Sequence, residues 1–170
     1  MSLEQRASTP SVVELPAMTV IGVSFDANLK QIAEEELGKK AYEDLTARQA
    51  SIAGKADGHV RLVQTYPMKP GFNPNVDPFN QLIGYVVERE DTPVPERMTK
   101  RTLPAGEYVR MTHRGRESEL GRTYDELYGR WMREHGRRPA GHDFEIWDER
   151  YRPDQEDNEI DVYVALAANS

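Results

Sequence analysis

A carboxylate and an indole stand two residues apart near the end of the chain, in the sequence Asp143-Phe-Glu-Ile-Trp147. Successive side chains of a strand point to opposite faces, so Phe144 and Ile146 share one face and Glu145 and Trp147 share the other. We expect Phe144 and Ile146 to cover the core on the side where helices pack. The second face is open to two interpretations: a solvated surface with a half-buried indole, or a ligand-facing wall whose ring and charge suit a flat cation.

Tyr66, Tyr85 and Tyr163 lie on other predicted strands and alternate out of phase with the core-facing residues of those strands. They are therefore candidates for lining the same ligand cleft. The predicted ligand-binding residues are Glu145, Trp147, Tyr163, Tyr85, Tyr66, Gln64 and Tyr108.

The histidines give no sign of a metal centre or a catalytic triad. His59, His113, His135 and His142 are scattered along the chain, and no two of them have the spacing of metal ligands. The chain contains no cysteine, which excludes disulfides and thiolate metal sites. We therefore expect no metal ion and no cofactor.

Length and charge narrow the class of protein. A chain of 170 residues is long enough for one well-packed domain. A net charge of -7 argues against direct binding of nucleic acid, which normally requires a basic face. No apolar run approaches the roughly 20 residues of a membrane span, and no targeting segment is recognisable. The sequence thus predicts a cytoplasmic protein with no membrane partner.

The order strand, helix, strand, strand is predicted twice. Strands are expected at residues 12–25, 60–66, 81–88, 98–113, 143–151 and 159–166, after a disordered tail at 1–11. Asn28 is expected to cap a first helix, which Gly38 interrupts, and a second amphipathic helix is expected to end near Gly136. A loop at 67–78, rich in proline and asparagine, is expected to border the cleft. The two repeats cover about residues 12–90 and 97–167 of a single domain at 12–167.

This pattern predicts an α+β fold with an antiparallel sheet. Two β-α-β-β units, each with an uncovered sheet face, bury apolar surface best by packing side by side about a pseudo-twofold axis. The helices would then cover one face of the sheet. A ligand cleft would lie on the other face, at the seam between the two units.

Several motifs resemble those of the GyrI-like domain, also called the bacterial transcription activator effector-binding domain. They are Leu103-Pro-Ala-Gly-Glu-Tyr-Val109, Phe144-Glu-Ile-Trp147 and Ile160-Asp-Val-Tyr-Val164, and the likeness extends over residues 12–167. The resemblance implies a SOUL-like, duplicated β-α-β-β fold with a pocket for drug-like, often cationic and aromatic, ligands. In the family's Phe-Glu-x-Tyr motif the acidic residue is the buried anchor. That residue corresponds to Glu145, and Trp147 stands in place of the tyrosine.

Three classes of function follow. The preferred class is a stand-alone small-molecule binding protein that senses or sequesters an aromatic, cationic ligand and has no DNA-binding domain. The second class is a hydrolase of reactive electrophilic aromatic compounds, in which Glu145 would act as a general base. The third is a protein-interaction role of the gyrase-inhibitor type, which leaves another protein or a homodimer open as a partner. The resemblance, together with the aromatic residues of the predicted cleft, favours binding over catalysis.

Overall fold

The computed structural model describes residues 9–168, so most of the predicted N-terminal tail lies outside the described residues. It has the expected α+β composition. The strands are β1 (Ser11–Leu15), β2 (Met18–Ala27), β3 (Lys55–Thr65), β4 (Phe79–Val87), β5 (Thr99–Leu103), β6 (Gly106–Arg114), β7 (Pro139–Trp147) and β8 (Glu159–Leu166). Within the described part of the chain, no helix has both the length and the apolar composition needed to cross a membrane.

The helices fall into two groups. The first comprises α1 (Leu29–Glu34) and α2 (Leu37–Arg48), followed by a 3-10 turn at Gln49–Ser51. The second begins with a 3-10 turn at Glu117–Glu119 and continues through α3 (Leu120–Tyr124), a π-helical segment (Asp125–Trp131) and α4 (Met132–His135). We refer to the continuous stretch from α3 to α4 as the helical segment 120–135.

The chain divides into two compact units. Among the described residues, the C-terminal unit contains 9–16 and 105–168, and the N-terminal unit contains 17–104. In the C-terminal unit the strands pair antiparallel in the order β1-β6-β8-β7. In the N-terminal unit they pair antiparallel in the order β3-β4-β2-β5.

The duplication expected from the sequence is present. The N-terminal unit contains β2, the helices α1 and α2, then β3 and β4, and the C-terminal unit contains β6, the helical segment 120–135, then β7 and β8. Each unit is therefore a β-α-β-β repeat with one additional edge strand.

Two predicted strands are each divided in two by a proline. The stretches 12–25 and 98–113 break at Leu15-Pro-Ala17 and Leu103-Pro-Ala105, which corrects the prediction of one continuous strand at each place. Proline has no N–H to donate to a sheet, so the ladder stops there. As a result β1 pairs with β6 in the C-terminal unit, whereas β2 and β5 pair with each other in the N-terminal unit.

Two helix ends follow local sequence signals, and one break between helices does not. Asn28 caps α1 through a reciprocal pair of hydrogen bonds with Gln31, as its residue type predicts. Gly136 ends the helical segment 120–135 with φ of 60°. The break between α1 and α2 was predicted at Gly38 but occurs at Glu36, which has φ of 52° and no side-chain cap. Gly38 lies inside α2.

The loop at 67–78 docks against the first helix of its own unit. The N–H of Leu29 donates to the carbonyl of Pro74 at 2.8 Å, and the Asn28 side chain donates to the carbonyl of Val76 at 3.3 Å. Phe72 packs near Tyr66, with ring centroids 5.9 Å apart. These contacts put the loop on the helix side of the N-terminal unit, contrary to its expected position beside a helix-free cleft.

A pair of glycines faces each other across β2 and β4. Gly22 and Gly84 are direct cross-strand partners, and a Cβ built on Gly22 would lie 2.0 Å from the carbonyl oxygen of Ile83. Because the atoms in the way belong to the backbone, they cannot rotate aside. We expect Gly22→Ala to lower the free energy of unfolding by about 1 to 3 kcal/mol in urea denaturation, as overpacking does.

Gly38→Ala is the matched control for this prediction. No atom lies within 4 Å of a Cβ at position 38, and the residue is inside α2, so alanine should stabilise the protein by about 0.5 to 1 kcal/mol. Equal effects of the two substitutions would contradict the close approach of β2 and β4.

Candidate functional site

Strand β7 presents Asp143, Glu145 and Trp147 to the helical segment 120–135. The hydroxyl of Tyr124 donates a short hydrogen bond to Glu145, and the hydroxyl of Tyr128 donates to Asp143 at 2.6 Å. Trp147 packs against the hydrophobic core that the helical segment forms with the sheet. Glu145 and Trp147 therefore share one face of β7, as their spacing of two residues predicts, and the helical segment 120–135 covers that face.

The helix-facing core of the C-terminal unit surrounds these polar side chains. Leu127, Trp131 and Met132 of the helical segment are buried against the sheet. Their partners on the strands are Val109, Ile160, Val162, Val164 and Leu166. Trp131 is buried in this core.

Phe144 lies on the opposite face of β7 from the one expected. It is buried, but its ring stacks on Tyr163 with centroids 4.7 Å apart and meets the edge of Tyr108 at 5.5 Å. It does not pack on the helix side with Trp131. The reason is that residues on both faces of β7 are buried, so the alternation of side chains does not identify the face that meets the helix.

Glu145 is an almost fully buried carboxylate, with 3 % of its surface exposed. Burial raises its pKa to about 7, against hydrogen bonds from Tyr124 and Trp147 that favour the ionised form. The neighbouring negative charges of Asp143 and Glu117 raise the pKa further. Near neutral pH this carboxyl group can therefore either keep or release its proton.

A third carboxylate completes the same region. Glu117, at the start of the 3-10 turn, accepts a hydrogen bond of 2.7 Å from the hydroxyl of Tyr151, and burial raises its pKa. The ring of Tyr151 is stacked on Trp147, whose Nε1–H donates to Glu145 Oε1 at 2.9 Å. We call this group the acidic aromatic site. It consists of Glu117, Asp143, Glu145, Tyr124, Tyr128, Trp147 and Tyr151.

Five residues of the acidic aromatic site were not among those predicted. Tyr124 and Tyr128 lie in the apolar stripe of the helix, so the sequence indicates a core residue at each position. They are four residues apart, which puts both on one face of the helix. Asp143 has the same strand phase as Glu145, and this spacing could have identified it. Glu117 and Tyr151 lie in turns, where no periodicity signals their position.

Two predicted ligand residues lie on the other face of the C-terminal sheet. Tyr163 has the guanidinium of Arg110 over its ring at 5.6 Å. The hydroxyl of Tyr108 is 2.9 Å from His142 Nε2, and burial raises the pKa of Tyr108 to about 12. The structure therefore separates Tyr108 and Tyr163 from Glu145 and Trp147 by the thickness of the sheet.

The remaining predicted residues belong to the N-terminal unit. Gln64 corresponds to Glu145 in the repeat, and its side-chain oxygen accepts a hydrogen bond of 2.8 Å from Gln81 Nε2. Tyr66 packs on Phe79 with centroids 5.0 Å apart. Tyr85 is buried, with its hydroxyl 3.5 Å from Gln49 Oε1. The position that is acidic in one repeat is therefore an uncharged amide in the other.

The histidines remain apart from one another. His113 is buried between the hydroxyl of Thr123 at 2.8 Å and the carbonyl of Arg116 at 3.0 Å, so it joins β6 to the start of the helical segment. Among residues 9–168, no group of three histidine, aspartate or glutamate side chains is arranged to hold a metal ion.

Fold and site together define a class of protein. Two β-α-β-β repeats form an α+β framework, and one repeat encloses carboxylates within a set of aromatic rings, which is the chemistry of a small-molecule binding domain. The chain belongs to the family of GyrI-like small molecule binding domains, whose sequence model matches residues 8–167.

Several known proteins are similar to this chain. The transcriptional regulator BrlR of Pseudomonas aeruginosa is 31 % identical over 157 residues, a match that covers 91 % of this chain and 54 % of BrlR. The chain thus spans about half the length of the curated relative that it matches. SAV2435, solved bound to tetraphenylphosphonium, has a TM-score of 0.66 at 12 % identity over 94 % of each chain. A hydrolase from Listeria innocua has a TM-score of 0.57 at 14 % identity, over 94 % of this chain and 92 % of its own.

Proposed function

We propose that this domain binds small aromatic cations at the acidic aromatic site, with Glu145 as the charged anchor. The observation that carries the proposal is a buried carboxylate held by Tyr124 and Trp147, with its pKa raised to about 7. A buried carboxylate without a counter-charge is costly, and a cation would compensate that cost. The similar fold of SAV2435, solved with tetraphenylphosphonium, is consistent with a ligand of this class.

The same geometry supports a sensing or sequestering role. Both oxygens of Glu145 accept hydrogen bonds, one from the helical segment and one from Trp147, and almost none of the residue is exposed. A ligand that reaches Glu145 must therefore displace Tyr124, Trp147 or both. Because Tyr124 belongs to the helical segment, ligand binding would alter how that segment packs on the sheet, which is the kind of change that a regulator can transmit.

A direct test compares a cation with a neutral molecule of similar shape. We expect tetraphenylphosphonium to bind at least about 10-fold more tightly than triphenylphosphine oxide in isothermal titration calorimetry at about pH 8, because only the cation gains a charge-assisted interaction with ionised Glu145. At about pH 5.5 the carboxyl group is mostly protonated, and the preference should shrink. Equal affinities at the higher pH would contradict a charged anchor.

One observation favours a second candidate function. A carboxyl group with its pKa near 7, beside a tyrosine hydroxyl, has the properties of a general base that could activate water against an electrophile such as an epoxide. The hydrolase from Listeria innocua shares the fold. Turnover of a styrene-oxide-type electrophile, lost in Glu145→Gln, would favour catalysis over binding alone.

A further inference from the structure

His113 is a buried imidazole near the end of β6, and both of its ring nitrogens are engaged. The residue is 4 % exposed. Its Nε2 lies 3.0 Å from the carbonyl oxygen of Arg116, and its Nδ1 lies 2.8 Å from the hydroxyl of Thr123. Because a carbonyl can only accept, the neutral ring carries its proton on Nε2, and Nδ1 accepts the hydroxyl hydrogen of Thr123. His113 therefore bonds to both ends of the turn that leads from β6 into the helical segment 120–135.

The first end of this turn is fixed by further hydrogen bonds. The N–H of Gly115 donates to the carbonyl of Asn158 at 2.9 Å, and the Asn158 side chain donates to the carbonyl of Gly115 at 2.9 Å. The N–H of Glu117 donates to the carbonyl of Pro153 at 2.9 Å. The start of the turn is thus attached to the connection before β8 independently of His113.

The second end of the turn carries a residue of the acidic aromatic site. Thr123, which is 5 % exposed, directly precedes Tyr124, and the hydroxyl of Tyr124 donates to Glu145. His113 itself is held in the sheet, where it is the cross-strand partner of Ile160. The hydrogen bond between His113 and Thr123 therefore ties the first turn of the helical segment to the sheet, next to the tyrosine that covers Glu145.

We propose that the hydrogen bond between His113 and Thr123 holds the acidic aromatic site closed, so that its strength sets how tightly the site binds a cation. This inference rests on the proposed function, and it takes Tyr124 to be the residue that a ligand displaces from Glu145. In the closed state Tyr124 donates to Glu145, and in the open state the first turn of the helical segment has moved away from the sheet.

Opening in this way breaks the bond from Thr123 to His113, because only the Thr123 end of the turn moves. The free energy of that bond is therefore part of the cost of opening, and it lowers the apparent affinity for the ligand. His113 is a positioning residue. It acts through Thr123 and Tyr124, and its own ring nitrogens are both occupied by the turn.

The test removes the bond and measures affinity. Thr123→Val deletes the hydroxyl at nearly constant volume, and this variant should bind tetraphenylphosphonium about 3-fold to 10-fold more tightly than the wild type in calorimetry at about pH 8. The reason is that the closed state loses a hydrogen bond that the open state does not have. Thr123→Ser keeps the hydroxyl and should keep the wild-type affinity. A purely structural role of the bond predicts unchanged or weaker binding in Thr123→Val.

Thr19→Val is the matched control in the other unit. Thr19 is 6 % exposed, and its hydroxyl lies 2.9 Å from that of Thr102, so the same substitution removes one hydrogen bond at similar burial. Both valine variants should unfold at a lower urea concentration than the wild type. Only Thr123→Val should gain affinity for tetraphenylphosphonium.

Stopped-flow kinetics identify the step that the bond controls. The gain in affinity of Thr123→Val should come from faster association, because the open state is more populated before the ligand arrives. A gain that came from slower dissociation alone would overturn the inference. If the wild type binds tetraphenylphosphonium and Thr123→Val binds it no more tightly, the inference is wrong and the proposed function stands. If the wild type does not bind this cation, the proposed function itself fails.

Discussion

We expect the ionisation of Glu145 alone to lower the free energy of unfolding by about 3 kcal/mol as the pH rises from about 4.5 to about 7. Burial raises the pKa of this carboxyl group from 4.5 to about 7 in the folded protein. Between these values the unfolded chain has released the proton and the folded chain still holds it, so rising pH favours the unfolded state. Above about pH 7 both states are ionised and the contribution becomes constant.

Urea denaturation of the wild type and Glu145→Gln across this pH range measures the effect. Glutamine keeps the shape but cannot ionise, so the variant should equal the wild type near pH 4.5 and exceed it by about 3 kcal/mol above pH 7. Glu14→Gln, at an exposed position on β1, removes the same charge and should follow the wild type. If the free energy of unfolding depended on pH in the same way in the wild type and in Glu145→Gln, the pKa of Glu145 would not be raised in the folded protein.

Glu145→Gln should also weaken the binding of tetraphenylphosphonium by roughly 10-fold to 150-fold, or 1.5 to 3 kcal/mol, the range for a hydrogen bond to a charged group. The reason is that the substitution removes the buried negative charge that the cation, but not a neutral ligand of similar shape, would compensate. The affinity for triphenylphosphine oxide should fall by less than about 2-fold, since this neutral ligand contacts the aromatic rings. Calorimetry at about pH 8, where Glu145 is ionised, gives both values.

The exposed control for this measurement is again Glu14→Gln, for which both ligands should keep their wild-type affinity. Equal losses for the cation and the neutral molecule in Glu145→Gln would mean that shape selects the ligand and charge does not. If Glu145→Gln lost the binding of tetraphenylphosphonium without a gain in stability above pH 7, the substitution would have rearranged the site. The two experiments on Glu145 therefore check each other.

The two effects at Glu145 have one physical origin. An ionised carboxylate in the free protein lacks a full counter-charge and lowers stability, and a bound cation supplies that charge. The stabilisation by tetraphenylphosphonium should therefore be larger above pH 7 than near pH 5. A site built in this way favours the cation because the empty site is destabilised.

The sequence alone determined the repeat and the phase of its strands. Strong local signals carried these features, namely β-branched runs, the cap at Asn28, the stop at Gly136 and the alternation that puts Glu145 and Trp147 on one face. These signals depend on neighbours in the chain, so they can be interpreted without the fold. The resemblance of the Phe144-Glu-Ile-Trp147 motif to its family identified Glu145 as the candidate anchor.

Only the tertiary structure decided which face of β7 carries the site. Alternation identifies a helix-packed face when the other face is solvated, but Phe144 and Glu145 are both buried. The apolar stripe of the helix concealed Tyr124 and Tyr128, because a tyrosine fills a core position and donates a hydrogen bond at the same time. Glu117 and Tyr151 come together from two turns that are 34 residues apart, a contact that no local pattern encodes.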